Sequence, residues 1–339
     1  MKKSRLLSVL LCLALLSGLL TTFASAADSG SAILDEMDVN AKAAVLVDPD
    51  TGEILYEKNA HAHNYPASIT KVMTCLLTLE AVDRGELSLE QTVTASSALH
   101  TGIGEGASTA DIKEGEQIRI IDLLYAALIP SANEACNVMA EAVSGDVASF
   151  VELMNTRAAE LGMEDTHFSN THGYHDDDHY TSAYDIYLMC REAMKHETFR
   201  TIVGSKNYTM PATNLHPEPR IIRSTNALIS NFRVAGYIYE YATGIKTGST
   251  PEAGYCLAAS ATRENRNLIS VVMGCEREPG TSGSEGYIYF DETIRLFKMG
   301  FLPTSPPRPF WTTPSGTSRR WRSPWARTPP PSPSCPTGS

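Results

Sequence analysis

The sequence is poor in positive charge. Its 339 residues contain 28 Lys and Arg against 39 Asp and Glu, a formal net charge of −11 at pH 7. This deficit excludes a general attraction to nucleic acid. The hydrophobic fraction of 42% is ordinary for a globular protein. A chain of this length and composition is able to bury a large core, which excludes an intrinsically disordered protein.

Cysteine pairs of the C-x-x-C type are absent, although the chain has seven cysteines. Cys12 lies near the start and Cys335 near the end, which leaves an odd number between them. A disulfide framework is compatible with export, but these cysteines lie mostly in apolar runs. We therefore expect buried free thiols. The five are Cys75, Cys136, Cys190, Cys256 and Cys275.

Residues 303–339 lack Lys, Asp and Glu altogether, yet hold 11 of the 19 prolines and all three tryptophans. No helical or strand periodicity is present, so no packed element is expected there. We interpret this segment as a translated frameshift or another artefact, because the composition changes abruptly after Leu302. The alternative is a disordered, basic, Pro-rich tail that contacts anionic cell wall or membrane.

Residues 1–26 have the pattern of a secretory signal peptide. A basic start with Lys2 and Lys3 precedes the apolar run Leu6–Leu20, and the small residues 24–26 form a cleavage signature. The apolar run is short for a membrane span, although an uncleaved anchor is the alternative. The protein is therefore predicted to be exported to the cell-wall side of the membrane. Residues 27–302 form the predicted folded body, with 20 basic against 39 acidic residues, a charge of −19.

Apolar patterning places strands at both ends of this body and helices in the middle, which predicts an α+β fold with one sheet built from distant segments. Ala43–Lys58 is predicted to be a hairpin, and Gly254–Thr262 with Leu268–Cys275 a second one. Helices are predicted over Ser68–Glu80, Ile118–Ile129, Glu134–Val143, Phe150–Leu161, about Ala183–Lys195, and about Glu285–Met299.

One S-x-x-K sequence occurs, at Ser68 and Lys71. Residues three apart on a helix share a face, so the hydroxyl and the amine are able to touch. A serine hydroxyl needs a base to become a nucleophile, and a buried lysine with a lowered pKa is able to act as that base. By itself the motif also fits an ordinary helix start with a solvated lysine.

One K-T-G sequence occurs, at Lys246, Thr247 and Gly248. It precedes the strand that begins near Gly254, which places it at the edge of the predicted sheet. Glycine there allows a substrate backbone to approach, threonine offers a hydroxyl to a carboxylate, and lysine adds positive charge. A strand end with an exposed lysine is the alternative for this motif in isolation.

Three S-x-N sequences occur, so this pattern has little specificity. Ser131 and Asn133 form the favoured one, since they follow Pro130 in a gap between two apolar helices. Short polar groups in such a gap are buried and need partners, which a cleft shared with Ser68 would supply. The other two, at Ser205 and Ser224, lie in polar sequence that is typical of loops.

In this order the three motifs resemble the set found in penicillin-binding proteins and class A β-lactamases. The flanking segments YPASITKVMT, IPSANEACNVMAE and GIKTGSTPEAGYCLAASA resemble those of the D-alanyl-D-alanine carboxypeptidases, the low-molecular-mass penicillin-binding proteins of the S11 serine peptidase type. The resemblance covers roughly residues 35–302. It implies a penicillin-binding protein/β-lactamase-like transpeptidase fold, with an antiparallel sheet flanked by helices and an all-helical subdomain, and a single catalytic domain over residues 27–302.

The resemblance implies that Ser68 attacks the bond between the two terminal D-alanines of a peptidoglycan stem peptide and forms an acyl-enzyme that water hydrolyses. Lys71 would be the base for acylation. Ser131 would relay a proton to the leaving amine, and Asn133 would hold Lys71 and the substrate amide. Penicillins, which mimic this substrate, would acylate Ser68.

The resemblance also assigns roles to the K-T-G strand. Lys246 would strengthen the field at the site and help keep Lys71 neutral, and Thr247 would bind the terminal carboxylate. The residue after Gly248 is Ser249, whose backbone N–H would form the oxyanion hole together with that of Ser68. Family members often carry a further basic residue for the carboxylate. Only Arg277 is available nearby, so this role is open.

No metal or cofactor is implied. Four histidines and three aspartates lie between residues 167 and 179 and suggest a metal site, but the segment resembles an ordinary loop of the family. They are His167, His172, His175, His179 and Asp176–Asp178. Members of the family usually continue into a β-rich domain and a C-terminal anchor helix, which residues 303–339 do not resemble, so surface anchoring is not expected. The oligomeric state stays open.

Three other functions share part of this pattern. A β-lactamase would need a glutamate in an E-x-x-x-N context, and Glu152 with Asn155 has the wrong spacing. A non-catalytic module that binds peptidoglycan or senses β-lactams would acylate without turnover. An endopeptidase that cleaves cross-links would use the same motifs.

Overall fold

The computed structural model describes residues 37–277 and 286–302. The predicted signal peptide and the segment 303–339 lie outside the described residues. The predicted α+β fold is confirmed: the described chain has one large antiparallel sheet and a helical region. Within the described ranges, no helix is both long enough and apolar enough to cross a membrane.

The large sheet has five strands in the order β2-β1-β9-β8-β7. Both predicted hairpins are confirmed, and the sheet joins them by pairing the first strand with the last, as in Val45 opposite Val271. K-T-G lies on the edge strand, as predicted. The strands are β1 (Ala43–Asp48), β2 (Glu53–Lys58), β7 (Ala242–Thr250), β8 (Gly254–Arg263) and β9 (Arg266–Cys275).

Strand β1 is buried at all six positions because both faces of the sheet are covered. Ala43, Val45 and Val47 point into the core shared with the helical region. Ala44 and Leu46 point to the opposite core, formed with the C-terminal helix. The continuous apolar run of this strand therefore results from burial on two sides.

The helical region is built around an almost fully buried helix that follows Ser68. Seven helices lie in the described part of the chain, and several begin later than predicted. Ser68 itself lies in a short 3₁₀ turn, Ala67–Thr70, ahead of the helix. The helices are α1 (Lys71–Asp83), α2 (Ile120–Leu128), α3 (Asn133–Ser144), α4 (Val147–Leu161), α5 (Ala183–Ala193), α6 (Glu197–Val203) and α7 (Ile288–Gly300).

The sequence patterns missed the shortest elements. Helix α6 was not predicted, and two small two-stranded sheets accompany the helical region, which is therefore not purely helical. Strands of three or four residues are too short to display an alternating pattern. They are β3 (Thr92–Thr94) with β4 (Gln117–Arg119), and β5 (Asn207–Met210) with β6 (Arg220–Arg223).

The expectation of buried free thiols is confirmed for the five cysteines of the body. All five are buried and free, and burial raises the pKa of each thiol. These side chains act as small apolar groups in the core, as their positions in apolar runs indicated.

Candidate active site

The turn that carries Ser68 is tightly constrained. Ala67, just before it, has a φ of 47°, an unusual value for a residue with a β-carbon. The following helix starts at Lys71, whose Nζ donates a hydrogen bond of 2.8 Å to Ser68 Oγ. The three-residue spacing therefore brings the hydroxyl and the amine together, as the sequence predicted.

Lys71 is completely buried, which is unusual for a lysine. Its Nζ donates a second hydrogen bond, of 2.7 Å, to the backbone carbonyl of His172. Burial lowers the pKa of Lys71 to about 8, although electrostatic interactions with Cys136 and Glu134 oppose the shift. At pH 7 about a tenth of this amine is therefore unprotonated and able to accept a proton, far more than for a lysine with an ordinary pKa.

Asn133 is the first residue of helix α3, which packs against α1, and Ser131 lies two residues before it. Ser131 has a φ of 72°, a conformation that costs on the order of 1 kcal/mol or more for a residue other than glycine. Ser131 Oγ and Asn133 Oδ1 are buried and have no hydrogen-bond partner within the described ranges. Buried polar atoms of this kind are common where a ligand is bound. Cys136, one turn further along α3, interacts electrostatically with Lys71.

Lys246 on β7 is also buried, with 1% of its surface exposed. Its Nζ donates a 2.9 Å hydrogen bond to the carbonyl of Thr247. Burial lowers the pKa of Lys246 well below its ordinary value, and the charge of Lys71 lowers it further. Burial is thus the main cause of the lowered pKa of both amines.

Gly248 allows a close approach within the chain itself. A β-carbon at this position would lie 2.9 Å from the Pro66 carbonyl oxygen and 3.2 Å from the Ser68 nitrogen. The glycine therefore lets strand β7 approach the turn of Ser68, and the close neighbour is the chain itself. The exposed Ser249 follows on the same strand.

Thr225 was not predicted to belong to the site, because it sits in one of the two S-x-N sequences assigned to polar loops. Its Oγ1 lies 2.7 Å from Thr247 Oγ1 in the K-T-G motif, and its N–H donates to the carbonyl of Ile129. The neighbouring Ser224 and Asn226 are buried. The S-x-N sequence at Ser224, which lies shortly before K-T-G in the chain, was the signal that could have indicated this role.

The histidine-rich loop contacts the site through hydrogen bonds within the protein. His179 Nε2 lies 2.8 Å from Thr70 Oγ1, in the turn of Ser68, and His179 Nδ1 accepts from the N–H of Ser169. Burial lowers the pKa of His179 to about 3 and that of His172 to about 4. Across residues 37–277 and 286–302, no group of three or more His, Cys, Asp or Glu side chains is arranged to hold a metal ion.

Arg277, considered for the substrate carboxylate, has its guanidinium over the ring of Tyr287 at 4.6 Å. Tyr287 precedes helix α7. The Arg277 guanidinium therefore packs beside the start of helix α7.

Comparison with known sequences shows to which protein family the chain belongs. Residues 29–277 match the S11 peptidase family, described as D-alanyl-D-alanine carboxypeptidase. The chain belongs to this family. An S11 relative from Bacillus subtilis, D-alanyl-D-alanine carboxypeptidase DacF, is 37% identical over 273 residues, which are 80% of this chain and 66% of the relative. DacC of Escherichia coli is 32% identical over 299 residues, 87% of this chain and 69% of DacC. The chain thus spans about two thirds of the length of these relatives.

Solved structures of similar proteins support the assignment of the chain to this family. The DD-transpeptidase of Streptomyces K15 superposes with a TM-score of 0.68 at 29% identity, over 78% of this chain and 98% of that protein. DacD of Francisella tularensis, at 24% identity, has the same fold with a TM-score of 0.67, over 78% of this chain and 71% of DacD.

Proposed function

We propose that this S11 family member is an exported serine-type D-Ala-D-Ala carboxypeptidase that removes the terminal D-alanine from peptidoglycan stem peptides. The observation that carries the proposal is the 2.8 Å contact between Ser68 Oγ and the buried Nζ of Lys71. A serine next to an amine whose pKa is about 8 has a base in place at neutral pH. The names of the relatives identify the bond on which such a nucleophile would act.

In the first step, neutral Lys71 takes the proton of Ser68 Oγ while the oxygen bonds to the carbonyl carbon of the penultimate D-alanine. The oxygen of that carbonyl gains negative charge, which the N–H groups of Ser68 and Ser249 stabilise. The carbon–nitrogen bond then breaks. The leaving amine takes a proton from the Lys71 ammonium through Ser131, and D-alanine departs, which leaves the rest of the peptide as an ester on Ser68.

In the second step, water attacks this ester, loses a proton to the base, and releases the shortened peptide with Ser68 restored. Asn133 would hold the substrate amide, because its Oδ1 is buried beside the motif without a partner within the described ranges. Thr247 would bind the terminal carboxylate. A carboxylate beside Lys246 would favour protonation of that amine.

No metal or cofactor takes part in the proposed reaction, and penicillins would acylate Ser68 in place of substrate. Residues 1–26 would direct export and residues 27–302 would form the catalytic domain, whereas residues 303–339 would have no part in catalysis. Peptidoglycan is then the partner, and cell-wall biogenesis the process served.

The direct test is D-alanine release from a stem pentapeptide by the full chain, with Ser68→Ala as the matched variant. We expect release and penicillin labelling from the wild type and neither from Ser68→Ala. Labelling without release would indicate a sensor module, and rapid penicillin turnover would indicate a β-lactamase. Labelling that survives in Ser68→Ala would show that the nucleophile is another residue.

A second candidate function is transfer of the acyl group to an amine instead of water. The specific observation is the Streptomyces K15 structure, which is named a DD-transpeptidase, whereas the related curated sequence from strain K15 is named a D-alanyl-D-alanine carboxypeptidase. The same pentapeptide assay with an added acceptor amine measures the ratio of transfer to hydrolysis.

A further inference from the structure

Asn137 on helix α3 is fully buried and lies outside the three motifs. Its Nδ2 donates to the carbonyls of Leu99, at 3.1 Å, and Thr101, at 2.9 Å. Its Oδ1 accepts a 2.6 Å hydrogen bond from Thr171 Oγ1. Two carbonyls on one side and a hydroxyl donor on the other fix the orientation of the amide. One side chain therefore joins the segment at residues 99–101 to the loop that contains Thr171.

Thr171 is held from both sides. Its hydroxyl donates to Asn137, and its carbonyl accepts a 2.5 Å hydrogen bond from Thr74 Oγ1. Thr74 lies one helical turn after Lys71 on α1. All three of these polar side chains are completely buried, so each of the hydrogen bonds is costly to lose. The peptide that leads from Thr171 into His172 is thus fixed between α1 and α3.

The carbonyl of His172 is the group that accepts the 2.7 Å hydrogen bond from Lys71 Nζ. The His172 ring is buried and neutral, and its Nε2 lies 3.2 Å from the Thr101 carbonyl that Asn137 also binds. On the next residue, Gly173, a β-carbon would collide with the carbonyl of Ala67. The loop is therefore pressed against the turn of Ser68 and has little freedom to move.

We propose that Asn137 and Thr171 are positioning residues, which hold the His172 carbonyl against Lys71 Nζ and thereby aim the amine at Ser68. The inference rests on the proposed role of Lys71 as a base. A neutral amine has two N–H groups and one lone pair. Binding one N–H to a fixed carbonyl restricts its rotation and keeps the lone pair available to the Ser68 proton. Neither residue touches substrate in this scheme.

The scheme has a signature that a purely structural role lacks. A carbonyl acceptor stabilises an ammonium more than a neutral amine. Displacing it should therefore lower the pKa of Lys71 as well as misdirect the amine. Other charged or titratable groups that interact with Lys71 lie on α1, α3, β7 and the loop. The variants below leave all of them in place. They are Cys75, Cys136, Glu134, Lys246, His172 and His179.

The test uses the full chain and the rate constant for acylation by a fluorescent penicillin, measured at pH values on both sides of the Lys71 pKa. Thr171→Val keeps the side-chain shape and removes the hydroxyl, whereas Thr171→Ser keeps the hydroxyl. Thr78→Val is the matched control, because Thr78 is also fully buried and its hydroxyl bonds the carbonyl of Thr74 within α1. Thermal unfolding reports the stability cost of each.

We expect Thr171→Val to acylate about tenfold more slowly at the plateau, with the midpoint of its pH profile moved to lower pH, and Thr171→Ser to restore both. Thr78→Val should lose stability with an unchanged midpoint. If Thr171→Val does not fold, Thr74→Val removes the donor on the other side of Thr171 and should give the same signature. A wild-type rate and midpoint in the folded variant would overturn this inference alone. A wild type that penicillin does not acylate would overturn the proposed function along with it.

Discussion

Gly248 lies so close to Ser68 that a β-carbon on the glycine would be 3.2 Å from the serine nitrogen. That nitrogen belongs to Ser68, the proposed nucleophile. The N–H group on the same nitrogen is part of the proposed oxyanion hole. The absence of a side chain at one position of β7 therefore sets how closely the strand and the turn can approach.

Gly248→Ala should push β7 and this turn apart by a few tenths of an ångström. We expect the penicillin acylation rate to fall about tenfold or more, because reacting groups lose their alignment. Gly52→Ala is the control. Gly52 lies in the β1–β2 turn at a φ of 77°, where a β-carbon meets nothing within 4 Å. It should lower the melting temperature without changing the rate per folded molecule. Equal rates in the two variants would contradict the assigned packing role.

Glu134→Gln tests the base assigned to Lys71. The wild-type acylation rate should rise about tenfold per pH unit below the Lys71 pKa of about 8 and level off above it. Removing the Glu134 charge, which raises that pKa, should move the midpoint to lower pH. Glu141→Gln on the same helix is the control, since Glu141 binds Ser96 and is not among the charges that shift Lys71. A midpoint that does not respond to Glu134→Gln would argue against Lys71 as the titrating base.

Thr225→Val tests the contact with Thr247. Losing one hydroxyl that orients another should weaken binding of the substrate carboxylate by about 1 kcal/mol. We expect KM for the pentapeptide to rise about fivefold while kcat changes less. Thr225→Ser keeps a hydroxyl at the same place and should behave as wild type. If the valine and serine variants have the same KM, the hydroxyl of Thr225 has no part in binding.

The stability of the fold should fall in mild acid. Burial lowers the folded-state pKa of His172 to about 4 and of His179 to about 3, from an ordinary value of 6.5. Below pH 6.5 the unfolded chain therefore binds more protons than the folded one, and stability falls as pH falls toward 4. The two residues together should cost about 4 kcal/mol at pH 5.

Denaturant unfolding at neutral and acid pH measures this loss. His179→Gln should reduce the pH dependence, whereas His100→Gln, at an exposed position, should leave it unchanged. An unfolding free energy that is flat between pH 7 and about 4.5 would show that neither ring is held neutral by the fold.

The main features of the fold were predictable because burial leaves a mark on the sequence. β1 and β9 are continuous apolar runs, α1 is apolar on most sides, and turn residues separate the strands of each hairpin. The place of K-T-G at the sheet edge followed from its position before β8. Strands such as β3 and β5 were not predictable, since three or four residues carry too little pattern and their pairing is decided by the surrounding helices.

Only those parts of the site that are formed by side chains in recognisable motifs were predictable from the sequence. The three-residue spacing of Ser68 and Lys71 predicts their contact, although Ser68 lies in a 3₁₀ turn ahead of the helix. The acceptor for Lys71 is the backbone carbonyl of His172, which every residue type possesses and no motif records. Thr225 was missed for a related reason, because a short polar segment has the same composition in a loop and in a buried site. Only the three-dimensional arrangement separates the two.

The order of strands in the large sheet also determines when the protein can become active during folding. Val47 pairs with Ile269, and the turn of Ser68 packs against β7. Contacts between such distant parts of a chain form slowly, whereas helices such as α3 and α4 form from local contacts. Ser68 is synthesised early, whereas residues 242–275, which complete the sheet around it, are synthesised later. A chain released before β9 would thus have the serine and no functional site, with the edge of β1 unprotected and prone to aggregation.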